Sequence, residues 1–177
     1  MSEIDYQIPP RTLLEVFKML PEGTRAELID NSLYMSPAPS TKHQDVIVSL
    51  ASQIYVFTQK KKLGKTFVAP VDVFLNSKNA FQPDICFISK KNKGIIKEDG
   101  IYGAPDLVVE VLSPGSKKLD LTQKKDVYEA AGVREYWVVD PATKISQGFR
   151  LVKGAFVPLK KEKGKLVSVL LKQVFKF

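Results

Sequence analysis

One cysteine is all the chain has, so Cys86 cannot close an internal disulfide; it lies in an apolar run and reads as a buried core thiol. No apolar stretch approaches the roughly 20 residues that a membrane-spanning helix needs. The N-terminus carries Glu3 and Asp5 and no apolar segment, unlike a secretory signal, so a cytoplasmic protein without membrane contact is expected. There is no internal repeat and no linker-like stretch. Acid is nearly missing from the end of the chain. Residues 141–177 hold nine Lys/Arg against Glu162 alone, whereas residues 1–140 hold 18 of each sign, so the net charge of +8 is C-terminal. Such a segment either attracts phosphate backbones or solubilises a face. Lys60, Lys61, Lys62 and Lys65 flank Gly64 and fit the last turn of a helix, where cations complement the macrodipole.

With 177 residues and 44% hydrophobic composition the chain can bury a core, and a single domain over 1–177 is expected, with its core at about 12–152 and basic C-terminal strands at 153–177. Thr12 to Glu15 forms a capping box for a short helix that Pro21 and Gly23 stop. Arg25–Asp30 and Leu33–Met35 read as a hairpin that starts the sheet. Ser40 or Thr41 caps a long helix with Val46, Ile47, Leu50, Ile54 and Phe57 at helical spacing. Thr66–Leu75 and Asp84–Ile88 read as paired strands joined through Asn76–Asn79, and 89–104 as a lysine-rich loop. Strand Leu107–Leu112, a helix through Leu119, Val127, Ala130 and Ala131 to Gly132, and strand Glu135–Val139 form a βαβ candidate in a mixed sheet.

Glu110 stands in the middle of a valine-rich strand. An ionised carboxylate there costs several kcal/mol unless it is paired, hydrogen-bonded or bound to a cation. Glu27 and Asp84 also lie on or beside predicted strands. Carboxylates on adjacent strands can hold a hard cation such as Mg2+, which takes oxygen ligands and keeps several waters. A structural ion pair or a solvated strand edge would use the same residues.

Several blocks together resemble the Uma-type restriction endonuclease family, a branch of the PD-(D/E)XK nuclease superfamily. They are Gln82-Pro83-Asp84, Pro105-Asp106 with the strand to Ser113, Asp120-Leu121-Thr122 with Lys124 and Tyr128, Ala131-Gly132-Val133, Glu135-Tyr136-Trp137 and Val139-Asp140-Pro141. Glu27 to Asp30, Met35-Ser36-Pro37 and His43-Gln44 extend the likeness, which runs from about Leu14 to Leu151. The resemblance implies an α/β fold with a restriction-endonuclease-like core, a mixed β-sheet flanked by helices, acting as a homodimer on DNA. It implies Asp84 and Glu110 as ligands for Mg2+, or Mn2+, with Glu27 as a further acidic contributor and no other cofactor. The superfamily pattern expects a lysine two residues beyond the glutamate, where this chain has Leu112. Lys124 is the candidate to replace it as the third catalytic residue, since Asp120, Lys124 and Tyr128 at i, i+4 and i+8 share a helix face.

Metal-dependent phosphodiester hydrolysis would use such groups, the metal activating water and a lysine stabilising charge on the phosphate. Ser113, Asp120, Tyr128 and His43 are candidate supporting or substrate-contacting residues. Ser113 also suits a turn, and His43 a hydrogen-bonded structural role. Tyr128, Tyr136 and Trp137 suit the core better than base stacking. Two rivals remain: an inactive nucleic-acid or protein interaction module on the same fold, which Leu112 favours, and an enzyme for another phosphorylated substrate, since no base-reading motif is visible.

Overall fold

The computed structural model describes residues 9–177, so the reading of Glu3 and Asp5 lies outside the described residues. Helix α1 (Leu13–Lys18) opens on the expected capping box: Glu15 N–H donates to Thr12 Oγ1 at 3.1 Å, and Thr12 N–H donates to the Glu15 carboxylate at 3.2 Å. Strands β1 (Ala26–Ile29) and β2 (Ser32–Met35) form a hairpin through Asp30 and Asn31. Both turn residues take left-handed backbones, φ 46° and 59°, which Asp and Asn tolerate better than most side chains. Helix α2 (Thr41–Lys60) is capped by Ser40, whose Oγ accepts from His43 N–H, and it buries Val46, Ile47, Leu50 and Ile54 along one stripe.

The expected strand Thr66–Leu75 is two strands, β3 (Gly64–Val68) and β4 (Val73–Asn76), and they belong to different sheets. Pro70 lies between them and has no N–H to continue a ladder. The turn at Asn76–Asn79 therefore joins β4 to β5 (Asn79–Phe81), while β6 (Ile85–Ser89) pairs antiparallel with β3. The expected loop contains a 3-10 helix (Lys90–Ile95) and β7 (Ile101–Tyr102), parallel to β4. After β8 (Leu107–Val111), the expected single helix breaks at Thr122 into α3 (Lys117–Leu121) and α4 (Gln123–Ala131). Gly132, at φ 90°, closes α4 as a left-handed cap and admits β9 (Glu135–Asp140), parallel to β8. The chain then runs through β10 (Ile145–Val152), β11 (Ala155–Pro158), β12 (Glu162–Lys163), β13 (Lys165–Ser168) and β14 (Gln173–Lys176).

Among the described residues there are two main sheets. The larger has the order β11-β10-β9-β8-β6-β3, with β12 beside β10; the smaller has the order β2-β1-β5-β4-β7; β13 and β14 form a separate pair. The β1–β2 hairpin thus belongs to the smaller sheet and not to the sheet of β8. The larger sheet is mixed because β8 pairs parallel with β9 and antiparallel with β6.

Alternation along β8 sorts the core into two layers. Leu107, Val109 and Val111 face α2 and the β13–β14 pair, packing with Leu50, Ile54, Trp137 and Phe175. Val108 and Leu112 face the other way, toward Tyr128 of α4 and toward Ile29, Val73 and Phe81 of the smaller sheet. Glu110 shares this second parity, which aims it between the sheet and α4. Cys86 lies on the same side, and burial pushes its thiol up to about 12. Gly148 on β10 is where the Trp137 indole needs room: a Cβ there would lie 2.5 Å from the ring. Glu135 is buried without a basic partner among the described residues, and it accepts from Trp137 Nε1–H at 2.7 Å and Leu170 N–H at 2.6 Å, tying the C-terminal hairpin to β9.

Candidate active site

A cleft of about 620 Å³ opens where β6 begins and β8 ends, beside α3 and α4, and Glu27, Asp84, Glu110, Asp120 and Lys124 all line it. Each arrives for a local reason. Glu27 lies on β1, its side chain offset from the buried neighbours Ala26 and Leu28. Asp84 immediately precedes β6, and Glu110 occupies the inward-facing position of β8. Asp120 lies near the end of α3, and Lys124 enters from the first turn of α4. The break at Thr122 sets the joint between the two helices.

Lys124 is the hub. Its Nζ lies 2.8 Å from Glu110 Oε1, 2.9 Å from Glu27 Oε1 and 3.2 Å from Asp120 Oδ1, and the residue is only 3% exposed. Burial works against its charged form, but the carboxylates of Glu110, Glu27 and Asp120 overcome it and hold the ammonium well above the ordinary lysine value. Glu110 is similarly enclosed: Tyr128 O–H donates to Oε1 at 2.8 Å, and Asp84 N–H approaches Oε2 at 3.3 Å. Burial, reinforced by Asp120, Asp84 and Glu27, raises Glu110 well above the usual carboxylate range against the pull of Lys124. Burial, then Glu110, raises Tyr128 as well, so its hydroxyl stays protonated and serves as a donor.

Asp84 is held from two sides. Val111 N–H donates to Oδ2 at 2.7 Å, and His43 Nε2 lies 3.3 Å from the same oxygen. Burial opposes charge on His43, but Asp84 outweighs it and raises the imidazole above its usual value. His43 Nδ1 is buried without a hydrogen-bond partner among the described residues. Ser113 and Ser116 bond each other across the turn after β8, Oγ to Oγ at 3.0 Å, so at the cleft lip Ser113 shapes the turn. Tyr136 and Trp137 are buried and offer no face to a base.

Three carboxylates thus meet one ammonium, and the fourth, Asp84, lies against His43. Two oxygens remain lightly used: Asp84 Oδ1 has no hydrogen-bond or ionic partner among the described residues, and Glu110 Oε2 has only the long contact to Asp84 N–H. Paired, lightly used carboxylate oxygens suit a hard divalent cation that takes one or two carboxylates and completes its shell with water. No group of three or more His, Cys, Asp and Glu side chains among the described residues is arranged to hold a metal ion. Glu27 is engaged elsewhere, since both its oxygens lie within 3.2 Å of Lys124 Nζ and Oε1 also accepts from Gln82 N–H at 2.9 Å. In this arrangement Glu27 positions the lysine. Leu112 lines the cleft where the superfamily lysine would start, and Lys124 brings its ammonium to Glu110 from the helix instead.

Two contributors were not singled out for roles from the sequence. Gln82 fixes Glu27 through its amide, while its side chain donates to Asp72 Oδ1 at 2.9 Å and Thr24 O at 3.0 Å. Its place beside Pro83-Asp84 was the available signal. Arg25 lines the cleft as well, and only its nearness to Glu27 in the sequence hinted at that.

A two-sheet α/β core with an acidic pair at the ends of adjacent strands and a lysine reaching in from a flanking helix defines a restriction-endonuclease-like protein. The chain belongs to the Uma2 family, whose model, described as "Putative restriction endonuclease", matches residues 13–174. A similar solved structure, described as a "putative nuclease belonging to DUF820" from Anabaena variabilis, is 21% identical with a TM-score of 0.69, over 86% of this chain and 83% of that one. That likeness establishes the fold. No curated protein matches the chain. Among the described residues no helix is long and apolar enough to cross a membrane.

Proposed function

We propose that the chain is a divalent-cation-dependent endonuclease that hydrolyses phosphodiester bonds in DNA. The observation that carries this reading is the convergence of Glu27, Asp84, Glu110 and Asp120 in one cleft, where the carboxylates of Asp84 and Glu110 each keep an oxygen available beside the buried, fully engaged Lys124. Asp84 and Glu110 would hold Mg2+ or Mn2+. Bound there, such an ion supplies charge against the phosphate and lowers the pKa of a coordinated water.

The remaining residues prepare that site. Val111 N–H and His43 fix Asp84 Oδ2, which leaves Oδ1 without a partner among the described residues. Tyr128 and Lys124 hold Glu110 Oε1, which leaves Oε2 facing Asp84. Glu27 and Asp120 keep the Lys124 ammonium beside Glu110, as positive charge close to where a phosphate would bind. Family membership supports nuclease chemistry on this fold. The test is incubation of supercoiled plasmid and short duplex DNA with the protein and Mg2+, Mn2+ or chelator. Cleavage with either ion and none with chelator is expected; equal cleavage in chelator would remove the cation from the account.

A further inference from the structure

A second, smaller cavity of about 330 Å³ adjoins the acidic cleft and shares Arg25 and Asp84 with it. It runs between the solvent face of α2 and the segment after β3, with walls formed by Val48, Ala51, Val68 and Pro70 and polar edges from Gln44 and Ser52. Val48 is 64% exposed and Val68 45%, so the groove is apolar and open. Arg25 stands at the junction. Among the described residues the half-buried Arg25 has no carboxylate partner, whereas the other basic side chains lining the cleft are Lys124, already surrounded by acid, His43, held by Asp84, and Lys42, which is exposed. Arg25 and Asp84 line both cavities, which places the arginine side chain near the acidic pair.

A half-buried arginine with no carboxylate partner among the described residues, close to two available carboxylate oxygens, suits an anion site next to the proposed cation site. We propose that Arg25 binds the phosphate adjacent to the scissile one, and that the base and sugar of that flanking nucleotide lie in the Val48–Pro70 groove. This rests on the nuclease reading above. The spacing of the two sites then directs a DNA strand out of the acidic cleft and along α2. Apolar walls suit the face of an unstacked base, with Gln44 and Ser52 at the edge, so the flanking nucleotide is taken as single strand rather than within a paired duplex.

The experiment uses short single-stranded DNA oligonucleotides carrying one neutral methylphosphonate, scanned position by position. Binding is read by fluorescence anisotropy in Ca2+ at several salt concentrations for wild type, Arg25→Gln, Arg25→Lys and Val48→Glu, with circular dichroism as the check on folding. One methylphosphonate position should weaken wild-type binding about tenfold and leave Arg25→Gln unaffected, because that contact is already gone. Arg25→Gln should bind about tenfold more weakly than wild type and lose about one unit of the log-log salt slope, with Arg25→Lys intermediate. Val48→Glu should weaken binding through repulsion of the strand in the groove. If folded Arg25→Gln shows the wild-type affinity, salt slope and methylphosphonate profile while wild type cleaves DNA, the Arg25 assignment fails and the nuclease reading stands. If wild type neither binds nor cleaves DNA, both fail.

Discussion

Glu110→Gln is expected to fold as wild type does and to lose cation-dependent DNA cleavage by about three orders of magnitude or more, as removal of a proposed metal ligand beside the reacting phosphate requires. The shape of the side chain is nearly kept, and a glutamine oxygen can still accept from Tyr128, whose hydroxyl lies 2.8 Å from Oε1. Lys124 retains Glu27 and Asp120 as partners. What is lost is one carboxylate at the proposed cation site. DNA binding should survive and, without divalent ion, should strengthen, because the phosphate then meets fewer carboxylates. Cleavage of plasmid and duplex DNA by both proteins, alongside binding at two salt concentrations, checks this. Equal cleavage by Glu110→Gln would take the residue out of the mechanism, and salt-sensitive binding by a wild type that cleaves nothing with any metal would favour an interaction module.

Lys124→Met should be the most damaging single change to stability. It leaves Glu27, Glu110 and Asp120 facing one another without their counter-charge, and breaking a buried ion pair from one side costs about 3–5 kcal/mol. Urea unfolding at neutral pH measures it. The double variant Lys124→Met with Glu110→Gln should recover part of the loss, since one of the stranded charges is gone. The pH dependence has a definite sign. The folded-state pKa of Lys124 is raised above 10.5, so its contribution is fully present at neutral pH and below and is lost as pH rises through that raised value. The alkaline loss of stability should therefore be smaller in Lys124→Met. If the variant were as stable as wild type, the lysine could not be the neutralising centre of the cleft.

How far the sequence went depended on whether a feature was local. The α1 capping box, the left-handed Asp30-Asn31 turn and the apolar stripe of α2 are written in short-range spacing, and all three appear as read. Glu110 drew notice because a carboxylate inside a valine run must be met by something, and Lys124, Tyr128 and the Asp84 amide meet it. The face shared by Asp120, Lys124 and Tyr128 was visible from i, i+4 spacing even though Thr122 divides the helix. Strand partners were harder. Nothing between Thr66 and Leu75 except Pro70 marks that the chain leaves one sheet for another, because β-branched residues suit either sheet. The role of Glu27 follows from the same long-range placement, since contacts to Gln82 and Lys124 span 55 and 97 residues. The exposed Arg25 groove arises only where α2 passes the end of β3, a juxtaposition that no local pattern encodes.

The central claim is that Asp84 and Glu110 form a hard-cation site, and Mn2+ binding followed by electron paramagnetic resonance tests it without reference to turnover. Wild type should bind Mn2+ in the cleft, excess Mg2+ should displace it, and both Asp84→Asn and Glu110→Gln should abolish that binding in folded protein. Mn2+ bound equally by all three proteins, or not bound by wild type at all, would contradict the account.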